Sequence, residues 1–242
     1  ERTNLNWKIY EDLINHIKSL KAEVICTPFD EKALKFISEI KVDAIKIASC
    51  DLTNDPLILK ATKTNKPIIL STGMSTESEI LHASNLLVRY GNHAFLHCNS
   101  TYPAPSEDIN LSYINRLREL TDCVIGYSSH DGNIFIPFAS IGFGARIIEC
   151  HITRDKSQLG TDHIASLETK SLEEFIKTVR VISESIGDDL PRVPTQGEMM
   201  NRISLGKSLC FTNELAKGHA LIEQDLTLRS PEVGYKYSDL KN

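Results

Sequence analysis

The segment Cys123-Val-Ile-Gly-Tyr-Ser-Ser-His130 decides how this chain folds, and the segment Ala145-Arg-Ile-Ile-Glu-Cys-His151 repeats its pattern. In each segment a short apolar run predicts a buried strand, and the histidine stands where that strand ends. If the two strands are neighbours in a parallel sheet, His130 and His151 point into one cavity. Two neutral imidazoles with open positions left over are typical of a catalytic divalent-metal site. The alternative is that both are ordinary polar residues on βα loops.

The composition is that of a soluble globular protein, with 41% hydrophobic and 24% charged residues. A length of 242 residues suffices for one large α/β domain or for a domain with a small appendage. The net charge of −5 argues against nucleic acid as the main partner. No run approaches the ~18 apolar residues of a membrane span. The six cysteines form no C-x-x-C pair, and free thiols in a reducing compartment fit them better than disulfides, so we expect a cytoplasmic protein.

Strand-length and helix-length segments alternate through most of the chain. Each predicted strand is apolar on both faces, which is typical of a parallel sheet. The six predicted strands cover residues 24–27, 44–48, 67–71, 94–98, 123–127 and 145–152. Polar residues follow all six strands, as on the active-site face of a (β/α)8 TIM barrel. A doubly wound open sheet would concentrate them at one switch point. We therefore predict an α/β protein of the TIM-barrel class.

The predicted domain organisation has three parts. Residues 1–187 are assigned to the barrel. A barrel of this class has eight strands, so we expect the two N-terminal βα units to be missing from this sequence, or the architecture to differ. Residues 188–204 contain two prolines and are predicted to be a linker. Residues 205–242 carry two short predicted strands and are expected to begin a small β-rich domain.

Seven motifs stand in the order found in sialic acid (N-acetylneuraminate) synthases, the phosphoenolpyruvate-condensing nonulosonate synthases, and the chain resembles that family over roughly residues 23–235. The motifs are Thr27-Pro-Phe-Asp30, Lys46-Ile-Ala-Ser49, Leu70-Ser-Thr-Gly-Met74, Leu96-His-Cys98, Tyr102-Pro103, Gly126-Tyr-Ser-Ser-His130 and Ile148-Glu-Cys-His151. Each motif alone is weak, whereas seven in order are specific. Residues 217–234 resemble the start of the family's C-terminal antifreeze-protein-like (SAF) domain.

The resemblance implies the condensation of phosphoenolpyruvate with an N-acetylmannosamine-type sugar, which gives a sialic acid or a related nonulosonate for polysaccharide biosynthesis. It implies a divalent metal, Mn²⁺ or Mg²⁺, held by His130 and His151. Glu149 is two residues before His151, so strand alternation places both on one face, where Glu149 could position a metal-bound water or the sugar. These three residues are the catalytic candidates. The resemblance also implies a homodimer in which the C-terminal domain is exchanged between protomers.

Phosphoenolpyruvate carries a phosphate and a carboxylate, so a site for it requires fixed cations and hydroxyl donors. Lys46 is the central candidate, because a lysine facing a barrel interior is costly unless an anion is its partner. The strand-end hydroxyls around it are those of Thr27, Ser49, Ser71 and Ser128. Three further candidates resemble the family's substrate-contacting positions: Ser100 (or its neighbour Asn99), Tyr102 and Asp162. The alternatives are that Lys46 pairs with Asp51 or Glu149 and that Asp162 is only a cap or loop carboxylate.

The chain departs from the family at several points. Ser129 and Asp131 stand where the family commonly has Asp and Thr, and the family's first-strand Glu and second-strand Lys have no counterpart here. Two other functions therefore stay open: a related phosphoenolpyruvate-dependent synthase that uses another aldose, and a catalytically incomplete binding or regulatory module. The intact pair of His130 and His151 argues against the second.

Overall fold

The computed structural model describes residues 5–241. The chain forms two compact units, of which the first ends at Gly187 and the second begins at Asp188. In residues 5–241, none of the helices has the length and apolar character that crossing a bilayer would need. All six cysteines are free thiols, as expected from their spacing.

The first unit alternates strands with helices. Its helices are α1 (Trp7–Ser19), α2 (Glu31–Glu39), α3 (Asp55–Thr62), α4 (Glu77–Leu87), α5 (Tyr113–Thr121), α6 (Phe135–Gly142) and α7 (Thr169–Ile186). Its strands are β1 (Ile25–Cys26), β2 (Ala44–Ile47), β3 (Ile68–Ser71), β4 (His93–Cys98), β5 (Val124–Ser129), β6 (Ile148–Cys150), β7 (Ile152–Thr153) and β8 (Leu167–Glu168).

The central sheet has six parallel strands in the order β1-β2-β3-β4-β5-β6. The predicted α/β class and parallel sheet are therefore confirmed. A doubly wound sheet reverses its strand order at a switch point, and this sheet has a sequential order instead. It curls as a half-barrel, so all six carboxyl ends meet at one edge. β7 and β8 form a separate parallel pair beyond β6.

The main core cluster lies on one face of this sheet, whereas Ile69 and Leu96 on the opposite face are buried beneath the strand ends, so both faces are covered as the continuous apolar strands predicted. Ile45, Ile47, Leu70 and Phe95 are fully buried. Burying a side chain of this size contributes about 1.5–3 kcal/mol. The strands cannot slide without exposing these residues, so the core fixes which polar residue stands at the end of each strand.

Helix-capping residues follow the ends of β1 and β3 and fix the loops that lead into α2 and α4. The Asp30 carboxylate accepts a hydrogen bond from Ala33 N at 2.7 Å and so starts α2. Thr76 and Glu79 form a capping box that starts α4. Asp30, the last residue of the Thr27–Asp30 motif, therefore has a structural role.

The second unit consists of helix α8 (Gln196–Leu205) and strands β9 (Ser208–Phe211) and β10 (Leu226–Arg229), which pair antiparallel. The structure differs here from the predicted linker over residues 188–204, because most of α8 lies within it. The reason is a capping box in which Thr195 and Glu198 exchange hydrogen bonds. The Thr-x-x-Glu pattern of this box is visible in the sequence, but the two prolines before it favoured a linker.

The close packing of β5 on β6 generates a stability prediction. A Cβ atom on Gly126 would lie 2.5 Å from the carbonyl oxygen of Ile147 and 2.5 Å from a methyl group of Leu96. Gly126→Ala must therefore push the strands apart, and we expect it to lower the free energy of unfolding by about 1–3 kcal/mol in urea titrations. Gly142→Ala is the matched control, because a Cβ there meets nothing within 4 Å. A Gly126→Ala protein as stable as the wild type would contradict this packing.

Candidate active site

One cavity of about 330 Å³ opens among the carboxyl ends of the sheet strands. It brings together all of the predicted site residues except Asp162: Thr27, Lys46, Ser49, Ser71, Ser100, Tyr102, Ser128, His130, Glu149 and His151. Each of the six central strands contributes at least one side chain, either from its last residues or from the loop that follows. The parallel direction of the strands is therefore sufficient to explain why these residues meet.

His130 is buried and held by its backbone-facing nitrogen. Its Nδ1 lies 2.8 Å from the carbonyl oxygen of Asn99. A carbonyl can only accept, so Nδ1 carries the hydrogen and, in the neutral ring, Nε2 carries the lone pair. Nε2 lies 3.1 Å from the Tyr102 hydroxyl. This outer hydrogen bond to a carbonyl is the usual way in which a protein fixes the tautomer of a metal-binding histidine.

The two predicted histidines lie side by side. Their ring centroids are 5.2 Å apart, and the rings are inclined by 66°. The pKa of His151 is lowered, chiefly by burial and then by the neighbouring His130, although Asp162 and Glu149 oppose this. His151 is therefore favoured as a neutral imidazole. Asp162 does not line the cavity but stands beside it, with an oxygen 3.8 Å from Nδ1 of His151.

Lys46 is a buried lysine that lines the cavity. Its ammonium donates to the carbonyl oxygen of Ile47 at 3.2 Å and lies 3.4 Å from Oε2 of Glu149. The alternative pairing with Glu149 is thus present as a close contact, but it lacks hydrogen-bond geometry. Within residues 5–241, the buried Oε2 atom of Glu149 and the buried Oγ atom of Ser71 have no hydrogen-bond partner.

Such unpaired buried atoms cost about 1–3 kcal/mol each, and native proteins keep few of them. In this cavity both atoms and the Lys46 ammonium line the same space. This arrangement is suited to a bound ligand that is anionic near Lys46 and that offers hydrogen-bonding groups to Ser71 and Glu149.

Sequence reasoning missed the roles of Cys98 and Gly73, which lie against residues that line the cavity. The Cys98 sulfur lies 3.7 Å from the hydroxyls of Ser49 and Ser100 and 3.6 Å from Nδ1 of His130. Burial raises the pKa of this thiol, but contacts with His130 and the two serines outweigh burial and lower it. A Cβ on Gly73 would lie 2.1 Å from the Ser100 hydroxyl oxygen. Only a glycine at this position leaves room for Ser100 as it stands.

Phe29, Cys50 and Met74 also line the cavity. Phe29 and Met74 are 66% and 72% exposed. The only signal for them in the sequence was their place beside strand-end motifs, since apolar residues normally indicate the core. Their exposed apolar surface adds a hydrophobic wall to an otherwise polar site.

Hydrogen bonds hold the segment after His130, and they involve Ser129 and Asp131, the two residues that depart from the family's common sequence. Asp131 accepts hydrogen bonds from the Tyr127 hydroxyl at 2.8 Å, from the Ser129 hydroxyl at 2.9 Å and from Asn133 N at 2.7 Å. Burial, followed by the Asp131 charge, raises the pKa of Tyr127, which therefore remains a donor. The departure from the family's common spelling thus preserves an ordered turn directly after His130.

The side chains that could hold a cation here are His130, His151 and the unpaired carboxylate of Glu149. No group of three or more His, Cys, Asp and Glu side chains in the described part of the chain has the arrangement of a complete metal site. A cation bound at the two imidazoles would therefore need ligands from water or from a substrate.

The fold and site together define an α/β protein whose cavity, at the carboxyl ends of a parallel half-barrel, is lined by a lysine and two histidines. Residues 1–190 match the model of the NeuB family, and the chain belongs to that family. The family predicted from the sequence motifs is confirmed.

The relatives are synthases, which confirms the prediction of an enzyme family. The chain is 35% identical to the N,N'-diacetyllegionaminic acid synthase of Campylobacter jejuni over 97% of this chain and 71% of that protein. It is 32% identical to the human N-acetylneuraminate-9-phosphate synthase over 96% of this chain and 66% of that protein. The chain thus spans about two thirds of the length of these relatives.

A solved structure agrees with the fold. The crystal structure of the N-acetylneuraminic acid (sialic acid) synthetase of Leptospira borgpetersenii, in complex with citrate, superposes with a TM-score of 0.77 at 33% identity. The match covers 82% of this chain and 70% of that one.

Proposed function

We propose that this protein condenses phosphoenolpyruvate with an N-acetylmannosamine-type sugar to form a sialic acid or a related nonulosonate. In that reaction carbon 3 of phosphoenolpyruvate bonds to the aldehyde carbon of the sugar, water adds to carbon 2, and phosphate leaves. The observation that carries the proposal is the meeting of Lys46, the two histidines and the unpaired Ser71 and Glu149 atoms in one cavity. The names of the relatives support it.

Phosphoenolpyruvate is proposed to bind at Lys46. The ammonium is buried, so its interaction with an anion is screened less than it would be in water. The hydroxyls of Thr27, Ser49, Ser71 and Ser128 line the same space and can donate to phosphate or carboxylate oxygens. The unpaired Ser71 hydroxyl would gain its missing partner in this way.

A divalent cation is proposed at His130 and His151, and the donor set fits one. The Asn99 carbonyl fixes the tautomer of His130, His151 is favoured as neutral, and Glu149 keeps an unpaired oxygen. The Glu149 carboxylate, together with water, suits Mn²⁺ and Mg²⁺. When bound, such an ion polarises the aldehyde oxygen or lowers the pKa of a bound water.

Glu149 is proposed to act on protons at the same place. Its unpaired Oε2 can accept a hydrogen bond from a sugar hydroxyl or from the attacking water. The Lys46 ammonium lies 3.4 Å from this oxygen. Ser100, Tyr102 and, beside the cavity, Asp162 are proposed to position the sugar.

The architecture beyond the half-barrel is also a proposal. We propose that the six-stranded sheet is part of a (β/α)8 barrel and that residues 205–242 belong to an SAF domain. Supporting the first point, Ile25 on edge strand β1 and Trp7 on α1 are 52% and 50% exposed. Further strands would cover this apolar surface.

The first prediction from the proposed function concerns metal dependence. With Mn²⁺, the protein should release phosphate from phosphoenolpyruvate only when a suitable acetamido sugar is present, and chelation should abolish the release. His130→Ala and His151→Ala should lose activity at any Mn²⁺ concentration, because each removes a proposed ligand. His82→Ala, which removes a surface histidine paired with Asp55, is the matched control.

The assay uses a panel of N-acetylated mannosamine-type sugars, with and without phosphate, and detects the coupled product by mass spectrometry. Activity in a chelated His130→Ala protein would overturn the metal proposal. Activity with only a different class of aldose would favour the related synthase, and the absence of phosphate release with every sugar would favour the incomplete module.

The second prediction concerns Lys46. Lys46→Ala should raise the KM for phosphoenolpyruvate and lower kcat, since one hydrogen bond to a charged group contributes roughly 1.5–3 kcal/mol. The KM for the sugar should change less. Lys60→Ala, a surface lysine paired with Glu31, should behave as the wild type. Unchanged kinetics for phosphoenolpyruvate would mean that Lys46 serves only as the partner of Glu149.

The third prediction concerns assembly. We propose a homodimer in which the second unit is exchanged between protomers, a low-cost route to a two-fold assembly. In support, Met200, Leu205 and Val233 of that unit are 65%, 69% and 77% exposed, and a partner protomer would cover such side chains. Deleting residues 195–242 should weaken the dimer and reduce sugar binding more than phosphoenolpyruvate binding. A monomer at micromolar concentration in light scattering of the full gene product would refute the exchange.

A further inference from the structure

We propose that the Tyr102 hydroxyl and a divalent cation compete for one lone pair of His130, so that Tyr102 must leave this position before the cation can bind. The inference rests on the proposed function, because it concerns the proposed cation ligands. It assigns Tyr102 a role at the cation site that is separate from contact with a sugar.

The first step is the state of the His130 ring. Nδ1 is 2.8 Å from the carbonyl oxygen of Asn99, and the Cys98 sulfur lies 3.6 Å from the same nitrogen. Nδ1 is therefore committed to the protein interior as a donor. A neutral imidazole then has a single lone pair for a hydrogen bond or a cation, and it is on Nε2.

The second step is the occupation of that lone pair. The Tyr102 oxygen lies 3.1 Å from Nε2 of His130, and because this nitrogen carries no hydrogen in the neutral ring, the Tyr102 hydroxyl is the donor. The Tyr102 ring also covers the histidine, with ring centroids 4.2 Å apart and an inclination of 35°. Its centroid is 5.9 Å from that of His151, with the rings nearly perpendicular.

The third step follows from the chemistry of coordination. A cation bound to Nε2 uses the lone pair that accepts the Tyr102 hydrogen bond, so the two states exclude each other. Tyr102 is 40% exposed, so part of its ring already faces open space. Cation binding at His130 therefore includes the loss of one hydrogen bond and the displacement of one aromatic ring.

This competition predicts that removing the Tyr102 hydroxyl increases the affinity of the cavity for a cation. Tyr102→Phe removes the hydrogen bond that holds the lone pair and keeps the ring. The variant should therefore bind a cation more tightly than the wild type, whereas a ligand or a supporting residue would bind it more weakly when removed.

The experiment measures Mn²⁺ alone, by electron paramagnetic resonance of the free ion and by calorimetry, without phosphoenolpyruvate or sugar. We expect Tyr102→Phe to bind Mn²⁺ roughly 2- to 10-fold more tightly than the wild type, the change that matches one net hydrogen bond. Tyr90→Phe removes the hydroxyl of an exposed tyrosine on another part of the surface and should equal the wild type. His130→Ala should lose the binding.

Equal or weaker Mn²⁺ binding by Tyr102→Phe, with binding by the wild type intact, would overturn the competition and leave the proposed metal site standing. Absence of Mn²⁺ binding by the wild type and Tyr102→Phe alike would overturn the metal site itself and the competition with it. A second measurement on the unmodified protein guards against misfolding of the variant. Diamagnetic Mg²⁺ should shift the NMR signals of the Tyr102 ring together with those of His130, and a shift of His130 without Tyr102 would also overturn the competition.

Discussion

The parallel pairing of β5 with β6 is the constraint on which the candidate site depends. Its register places Ser128 opposite Glu149 and Ser129 opposite Cys150. One residue further along each strand direction, His130 and His151 must stand next to each other, as their 5.2 Å ring separation shows. Gly126 makes the pairing possible, because a side chain there would collide with the backbone of Ile147.

The same constraint produces an energetic cost that a ligand can offset. The curled sheet directs strand-end side chains into one space, and the described structure leaves Ser71 and Glu149 with unpaired buried atoms. It also buries the Lys46 ammonium, whose close contact with Glu149 is not a hydrogen bond. A fold optimised only for stability would pair or remove these groups. Their persistence at one edge of the sheet is typical of a functional site.

Much of this could be predicted from the sequence, because the carboxyl ends of parallel strands meet whatever their distance along the chain. Strand position predicted that Lys46, His130 and His151 would lie at the same edge of the sheet, and they line one cavity there. The roles of Gly73 and of the Asn99 carbonyl were not predicted, because they depend on backbone atoms that come close only in the folded state. Phe29 was missed because the sequence does not distinguish an exposed apolar side chain from a buried one. Helix α8 was missed because the two prolines before it indicated a linker more strongly than the capping box indicated a helix.

The most direct test of the account is a crystal structure of the protein with Mn²⁺ and phosphoenolpyruvate, using the anomalous signal of manganese. The account predicts one manganese peak bound by Nε2 of His130 and a nitrogen of His151, with phosphoenolpyruvate against Lys46 and Ser71 and with Tyr102 turned away from His130. Manganese at any other position, or phosphoenolpyruvate outside this cavity, would contradict it.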